Sequence, residues 1–207
     1  MIPGVAGVIL VGGEARRMGG GDKCLKLLHG RTLFHHIWGR IEPQVSTILI
    51  NANGDPARFA GHDAPVIADT IEGGQGPLAG ILTGMEWITE HHPAIKWIAT
   101  FPGDAPFVPL NFVQVCLAVA EAEEAEIVCA RSNGRTHPVC ALWKVSLADD
   151  LRRAMTEEAV RKIDLWTPRL RISHCDFSTD PVDPFFNINT PEDLAEAEAH
   201  LSALNVT

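Results

Sequence analysis

The chain has 207 residues, 46% of them hydrophobic and 21% charged, which suffices for a sizeable core and leaves no stretch of disordered composition. Its formal net charge of −9, from 17 basic and 26 acidic side chains, argues against nucleic acid or an anionic membrane surface as an electrostatic partner. The five cysteines (Cys24, Cys116, Cys129, Cys140, Cys175) are odd in number and form no C-x-x-C pair, so reduced thiols are expected rather than a disulfide framework or a structural zinc site.

The first predicted element is the apolar run VAGVILV (5–11), rich in β-branched residues as a strand buried on both faces should be. The stretch MIPGVAGVILVGG that contains it lacks a basic leader, and no run reaches the roughly 20 apolar residues of a membrane helix, so the cytoplasm is the expected compartment. Residues 32–41 carry apolar side chains at helical spacing, closed by Pro43. TILIN (47–51) and PVIAD (65–69) are short apolar runs that end in a polar side chain. A helix is predicted over 77–92 with Pro77 in its first turn, then a buried strand, WIATF (97–101), stopped by PGDAPF. A helix over 110–125, strands over 126–130 and 137–143, and a helix over 146–155 follow. The next stretch is left unassigned. FFNINTPEDLAEAEAHLSAL then reads as a strand, a Thr190 N-cap with Pro191 at the first helical position, and a helix.

Strands alternating with helices predict a three-layer, Rossmann-like α/β fold with a mostly parallel central sheet, and no linker divides the 207 residues into more than one domain. In such sheets ligands bind beyond the carboxyl ends of the strands. That rule selects the loop after Val11 together with Asn51, Asp69, Asp104, Asn187 and Asn189.

The loop itself, LVGGEARRMGGGDK (10–23), places Arg16, Arg17 and Lys23 among five glycines in an otherwise acidic chain. It is not a Walker A loop, because Lys23 precedes Cys24 rather than Ser or Thr. It is not a G-x-G-x-x-G fingerprint, because position 24 is not glycine. A tight turn at Gly12 and Gly13 can still present backbone N–H groups to an anion, with the three cations adding full charge; the bland alternative is a flexible surface turn. Arg16 is expected to face solvent and Asp22 to pair with a neighbouring arginine. Asp104, in a Pro-Gly-Asp-Ala-Pro turn, is a hard carboxylate suited to Mg²⁺, with turn formation as its bland alternative.

The loop resembles the signature of nucleotidyltransferases that handle the molybdenum cofactor, L-x-G-G-x-x-x-R-M-G followed by a lysine. NAN (51–53), IAD (67–69), GPLAG (76–80), PGDAPF (102–107), HPV (137–139) and NINTPEDL (187–194) follow in order, and together they are similar to the molybdenum cofactor guanylyltransferase family over nearly the whole chain. Val11 stands where that family commonly has alanine.

The resemblance implies a Rossmann-like nucleotidyltransferase domain and transfer of GMP from GTP to the terminal phosphate of a molybdopterin-type cofactor, with Mg²⁺ as cofactor. It further implies that Leu10, Val11, Gly12 and Gly13 meet GTP through the backbone, that Asn51 and Asp69 contact the nucleoside, and that Asp104 holds the metal. Lys23 and Arg17 then lie over the phosphates as catalytic cations beside Asp104. Gly76, Pro77, Leu78, Gly80, His137, Asn187 and Asn189 are candidates for the pterin substrate. Three of them have a plainer reading: Gly80 for close packing, His137 as a turn residue, Asn189 as a cap. Cofactor-delivery chaperones or molybdoenzymes are the implied protein partners. The alternatives are a sugar-1-phosphate or cytidine-type nucleotidylyltransferase, or a non-catalytic protein that binds GTP or the pterin. The remaining histidines have no metal-ligand partners nearby, and the tryptophans read mostly as core.

Overall fold

The computed structural model describes residues 1–12, 22–71, 73 and 76–204. In chain order the strands are β1 (Val5–Val11), β2 (Leu27–Leu28), β3 (Arg31–Thr32), β4 (Thr47–Ala52), β5 (Val66–Ile67), β6 (Trp97–Pro102), β7 (Ile127–Ser132), β8 (Arg135–Lys144) and β9 (Ile172–Phe177). The helices are α1 (Leu33–Ile41), α2 (Pro77–His91), α3 (Phe112–Ala122), α4 (Ala148–Thr156), α5 (Ile163–Trp166) and α6 (Pro191–Leu204). The main sheet runs β5-β4-β1-β6-β8-β7-β9, parallel throughout except that β8 lies antiparallel to both β6 and β7. The expected mostly parallel α/β architecture is therefore present.

The alternation of β1 builds the layers. Val5 and Ile9 face one side, where α1 and α3 cover the sheet with Phe34, Ile37, Phe112 and Val113. Ala6, Val8 and Leu10 face the other side, under Leu82 and Met85 of α2 and Leu151 and Met155 of α4. Two glycines let α2 approach the sheet closely. A β-carbon at Gly84 would come within 2.8 Å of Val8 Cγ2, and one at Gly80 would overlap Asn51 Oδ1. Thr32 caps α1 by accepting a hydrogen bond from His35 N (3.1 Å). Gly76, at φ +70°, turns the chain into α2 ahead of Pro77, a conformation that favours glycine.

Two hairpins have positive φ at both central residues, as two-residue turns between twisted strands require. They are His29–Gly30 between β2 and β3 (φ 47° and 76°) and Asn133–Gly134 between β7 and β8 (φ 46° and 75°). Helix α6 sits over the small hairpin, and Ile188 and Ala197 join Leu28, Leu33 and Phe107 in a satellite core.

Several expectations change. Residues 185–189 form no strand; the segment is irregular and is tied to the turn after β6 by one backbone bond, Ile188 N to Asp104 O (3.0 Å). The unassigned stretch holds β9, paired in parallel with β7, and α5. Thr190 does cap the last helix, accepting from Asp193 N (3.1 Å), while Asp193 accepts from Thr190 N (2.9 Å). Trp143 and Trp166 are fully buried, each with its indole N–H satisfied, by Thr100 and Asp150 respectively. All five cysteines are buried and free, and no helix among the described residues is long and apolar enough to cross a membrane.

Candidate active site

Three strand ends lie level at one edge of the sheet, because Leu10 pairs with Asn51 on one side and with Pro102 on the other. The backbone bond from Gly103 N to Leu10 O (3.0 Å) folds the turn after β6 over the end of β1. Two clefts open there and share Leu10, Val11, Gly12, Asn53 and Pro102. One, of about 380 Å³, is edged by the charged side chains Asp22, Lys23, Arg58 and Asp104. The other, of about 390 Å³, is edged by Asn51, Asn53, Asp69, Gly76 and Pro77. Gly13, Arg16 and Arg17 lie outside the described residues.

In the charged cleft, Lys23 stands in a single turn (Lys23–Leu25) packed under the strand ends by the buried Cys24. Burial, reinforced by the Asp22 charge, pushes the Cys24 thiol up to about 12, so the thiol stays neutral there. The Lys23 ammonium donates to Asp104 Oδ2 and to Asn189 Oδ1, the latter at 2.6 Å. These partners stand 81 and 166 positions further along the chain. Asp104 Oδ1 is buried and has no hydrogen-bond partner among the described residues. A buried carboxylate oxygen left unpaired is costly, and a cation relieves that cost. No group of three or more His, Cys, Asp or Glu side chains is positioned to hold a metal among the described residues. Among the described residues, the unpaired donor at this point is the hard carboxylate of Asp104, which fits a Mg²⁺ ion completed by phosphate and water oxygens better than it fits zinc.

The second cleft is organised around Asp69, just beyond β5. Its Oδ1 accepts from Asn51 Nδ2 (3.0 Å), its Oδ2 from Asn53 Nδ2 (2.9 Å), and its own N–H donates to Asn53 Oδ1 (2.9 Å). Thr70, next along, is pinned to α2 through Thr83 Oγ1 (3.0 Å) and Glu86 Oε2 (2.9 Å). Asn51 and Asp69 therefore come together, while Asn53, inside the NAN motif but given no role by the sequence reading, is their third member. The signal for it was its spacing, two residues from Asn51.

The remaining candidates separate. Gly76 and Pro77 are exposed on the rim of the second cleft, but Leu78 is buried in the core and Gly80 packs against Leu10 and Asn51, so the packing reading of Gly80 is the one observed. Asn187 and Asn189 do not share a strand face, because there is no strand; Asn189 reaches Lys23, and the Asn187 carbonyl accepts from Asn189 Nδ2 (3.4 Å). His137 is not a turn residue. It lies in β8, buried, its ring 4.6 Å from that of Phe185 and its Nε2 2.7 Å from Ser132 Oγ. Ser132 donates to Asp183 Oδ1 (3.0 Å), so its oxygen must accept from His137 and the ring proton sits on Nε2. Burial holds that imidazole below its ordinary range, hence neutral. Among the described residues Asp22 pairs with Arg58. Neither Arg58 nor Asp183 was singled out from sequence, since the partners that tie them to the rest of the arrangement, Asp22 and Ser132, are remote in the chain.

The model of the MobA-like NTP transferase domain matches residues 7–170. A molybdenum cofactor guanylyltransferase of Rhodopseudomonas palustris (strain HaA2) is 48% identical over 95% of this chain and 92% of its own length. One from Nitrobacter hamburgensis is 44% identical over 99% and 97%. Among solved structures, molybdopterin-guanine dinucleotide biosynthesis protein A from Archaeoglobus fulgidus superposes with a TM-score of 0.73 over 96% of this chain and 99% of that one, at 23% identity, a likeness of fold.

Proposed function

The chain belongs to the molybdenum cofactor guanylyltransferase family, and on that premise we propose that it transfers the GMP unit of GTP to the terminal phosphate of a molybdopterin-type cofactor, releasing pyrophosphate, with Mg²⁺ as the metal. It is a nucleotidyltransferase of molybdenum cofactor biosynthesis. The observation that carries the finer reading is the convergence of Lys23, Asp104 and Asn189 beside the cleft of Asn51 and Asp69, at the sheet edge where this fold takes its ligands.

A phosphate monoester has a second pKa of about 6, so the acceptor is largely a dianion near neutrality and needs no strong general base. One of its oxygens bonds to the α-phosphorus of GTP, the bond from that phosphorus to the β-phosphate's bridging oxygen breaks, and pyrophosphate leaves with the electron pair. The barrier is chiefly the meeting of anions, so positioned cations supply the catalysis. Lys23, held at the rim by Asp104 and Asn189, presents its ammonium to the leaving phosphates, and Arg17 is assigned to the same task. Asp104 would hold Mg²⁺ through the oxygen that lacks a protein partner, and the ion when bound neutralises phosphate charge. Asn51 and Asp69, with the backbone of Leu10 to Gly13, are assigned to the nucleoside. Gly76 and Pro77 share that cleft and are assigned with them. Asn189 is then the best-placed candidate for the acceptor.

Purified protein with Mg²⁺ and GTP is expected to release pyrophosphate only when a pterin phosphate acceptor is present. Turnover with CTP and not GTP would overturn the base assignment, and turnover with a sugar 1-phosphate would overturn the acceptor.

A further inference from the structure

Arg58 belongs to none of the motifs that mark the site, yet it reaches across the charged cleft. It lies in the single turn Pro56–Phe59, started by Asp55, whose Oδ1 accepts from Ala57 N (2.9 Å). Its guanidinium packs over the Phe59 ring, 5.4 Å from the centroid. Nε donates to Asp55 O (2.8 Å), Nη2 donates to Asn53 O, and Nη1 is ion-paired with Asp22. Two of these acceptors matter for the site. Asp22 immediately precedes Lys23, and the side chain of Asn53 holds Asp69 by both its amide N and O. One planar side chain thus ties the segment bearing the phosphate-side cation to the turn bearing the nucleoside-side carboxylate.

We propose that Arg58 is a positioning residue for the nucleotide: its three-way fork sets the separation between Lys23 and Asp69, so the two ends of a nucleoside triphosphate meet partners already in register. This deepens the guanylyltransferase reading and rests on it. The gain is preorganisation, since a loop left free would have to be ordered at the moment of binding. Lysine is no substitute, because an ammonium on a flexible stem does not span three acceptors in one plane. Arg58 acts here through Asp22 and Asn53, and three of its five N–H donors are committed to protein acceptors.

The test is a double-mutant cycle on Arg58→Ala and Asp22→Asn, with Arg58→Lys alongside, measuring Mg²⁺–GTP and Mg²⁺–CTP affinity by calorimetry, steady-state kinetics, and the melting temperature without nucleotide. Each single variant is expected to weaken GTP binding and raise KM about tenfold, with kcat at saturating GTP within about threefold of wild type. The double variant is expected to be no weaker than Arg58→Ala, and Arg58→Lys not to recover. Losses that multiply in the double variant would overturn the proposal, as would tighter GTP binding by Asp22→Asn, the sign of a freed direct phosphate ligand. Full recovery by Arg58→Lys, or lowered melting with unchanged GTP affinity, would do the same. If wild type binds CTP and not GTP, the guanine assignment fails and the cycle is still read on CTP; if it binds neither, both fall.

Discussion

Asp104 is divided between two demands. One carboxylate oxygen is met by Lys23, and the other is buried with no hydrogen-bond partner among the described residues. An unsatisfied buried acceptor costs about 1–3 kcal/mol, a cost the fold bears where charge will later be needed. Asp104→Asn keeps the shape and removes the charge. It is expected to lower kcat by about 10²–10³, in the range seen when one electrostatic contact to a transition state is lost. The nucleotide-free protein is expected to melt no lower than wild type. Calorimetric titration with Mg²⁺–GTP and a pyrophosphate-release assay check both parts, and undiminished turnover would remove Asp104 from the mechanism. Asn51, Asp69 and Asp104 were legible in the sequence because each stands at or just past an apolar run in an alternating pattern, where the topology alone points to a ligand, and Lys23 because it is a cation in a glycine-rich loop of an acidic chain. Arg58 and Asp183 were not. Their partners Asp22 and Ser132 lie 36 and 51 positions away, and no local rule connects residues at such spacings. His137 was visible, but a histidine before proline says nothing of the buried Ser132 that fixes its proton.

At the scale of elements, α2 is the piece whose placement the site depends on. Gly80 and Gly84 bring it against β1 and β4, and its Thr83 and Glu86 hold the turn that follows Asp69. Gly80→Ala would drive a methyl group into Asn51 and Leu10, so the helix must move away from the strands. Overpacking of this kind costs about 1–3 kcal/mol, and the displaced Asn51 should weaken guanine-nucleotide binding beyond what the loss of stability explains. Chemical denaturation with and without GTP separates the two effects. The strands of the central sheet were readable as unbroken apolar runs because both their faces are covered. The edge strand β9 was not, since His174 and Asp176 point to water and leave Ile172, Cys175 and Phe177 as its only large or apolar signal. The turn Asn133–Gly134 was a signal left unused, for Asn-Gly between two apolar runs is the strongest short-range mark of a hairpin. Residues 185–189 misled in the opposite direction. Phe185 and Ile188 are buried, but by packing an irregular segment onto neighbouring cores rather than by joining a sheet.

For the molecule as a whole, the segment after β9 closes the arrangement. Ile188 and α6 cover Leu28, Leu33 and Phe107, and the same stretch delivers Asn189 to Lys23. A chain cut after Asp183 would expose that satellite core and lose Asn189, a partner of the lysine. It is expected to bind an environment-sensitive apolar dye, to melt lower and to release no pyrophosphate, readouts of fluorescence, calorimetry and turnover respectively. The family relation was readable from ordered motifs spanning most of the chain, whereas the closure was not, because it depends on contacts between residues 166 positions apart.

The bond between Asn189 and the lysine near the start of the chain also has a bearing on protein synthesis. Chains grow from the amino end, and every strand of the sheet has been translated before residue 189 is made. A product terminated between residues 178 and 188 therefore carries every strand of the sheet and lacks the contact that Asn189 makes with Lys23, so completion of the scaffold and completion of the candidate site are separate events in its synthesis.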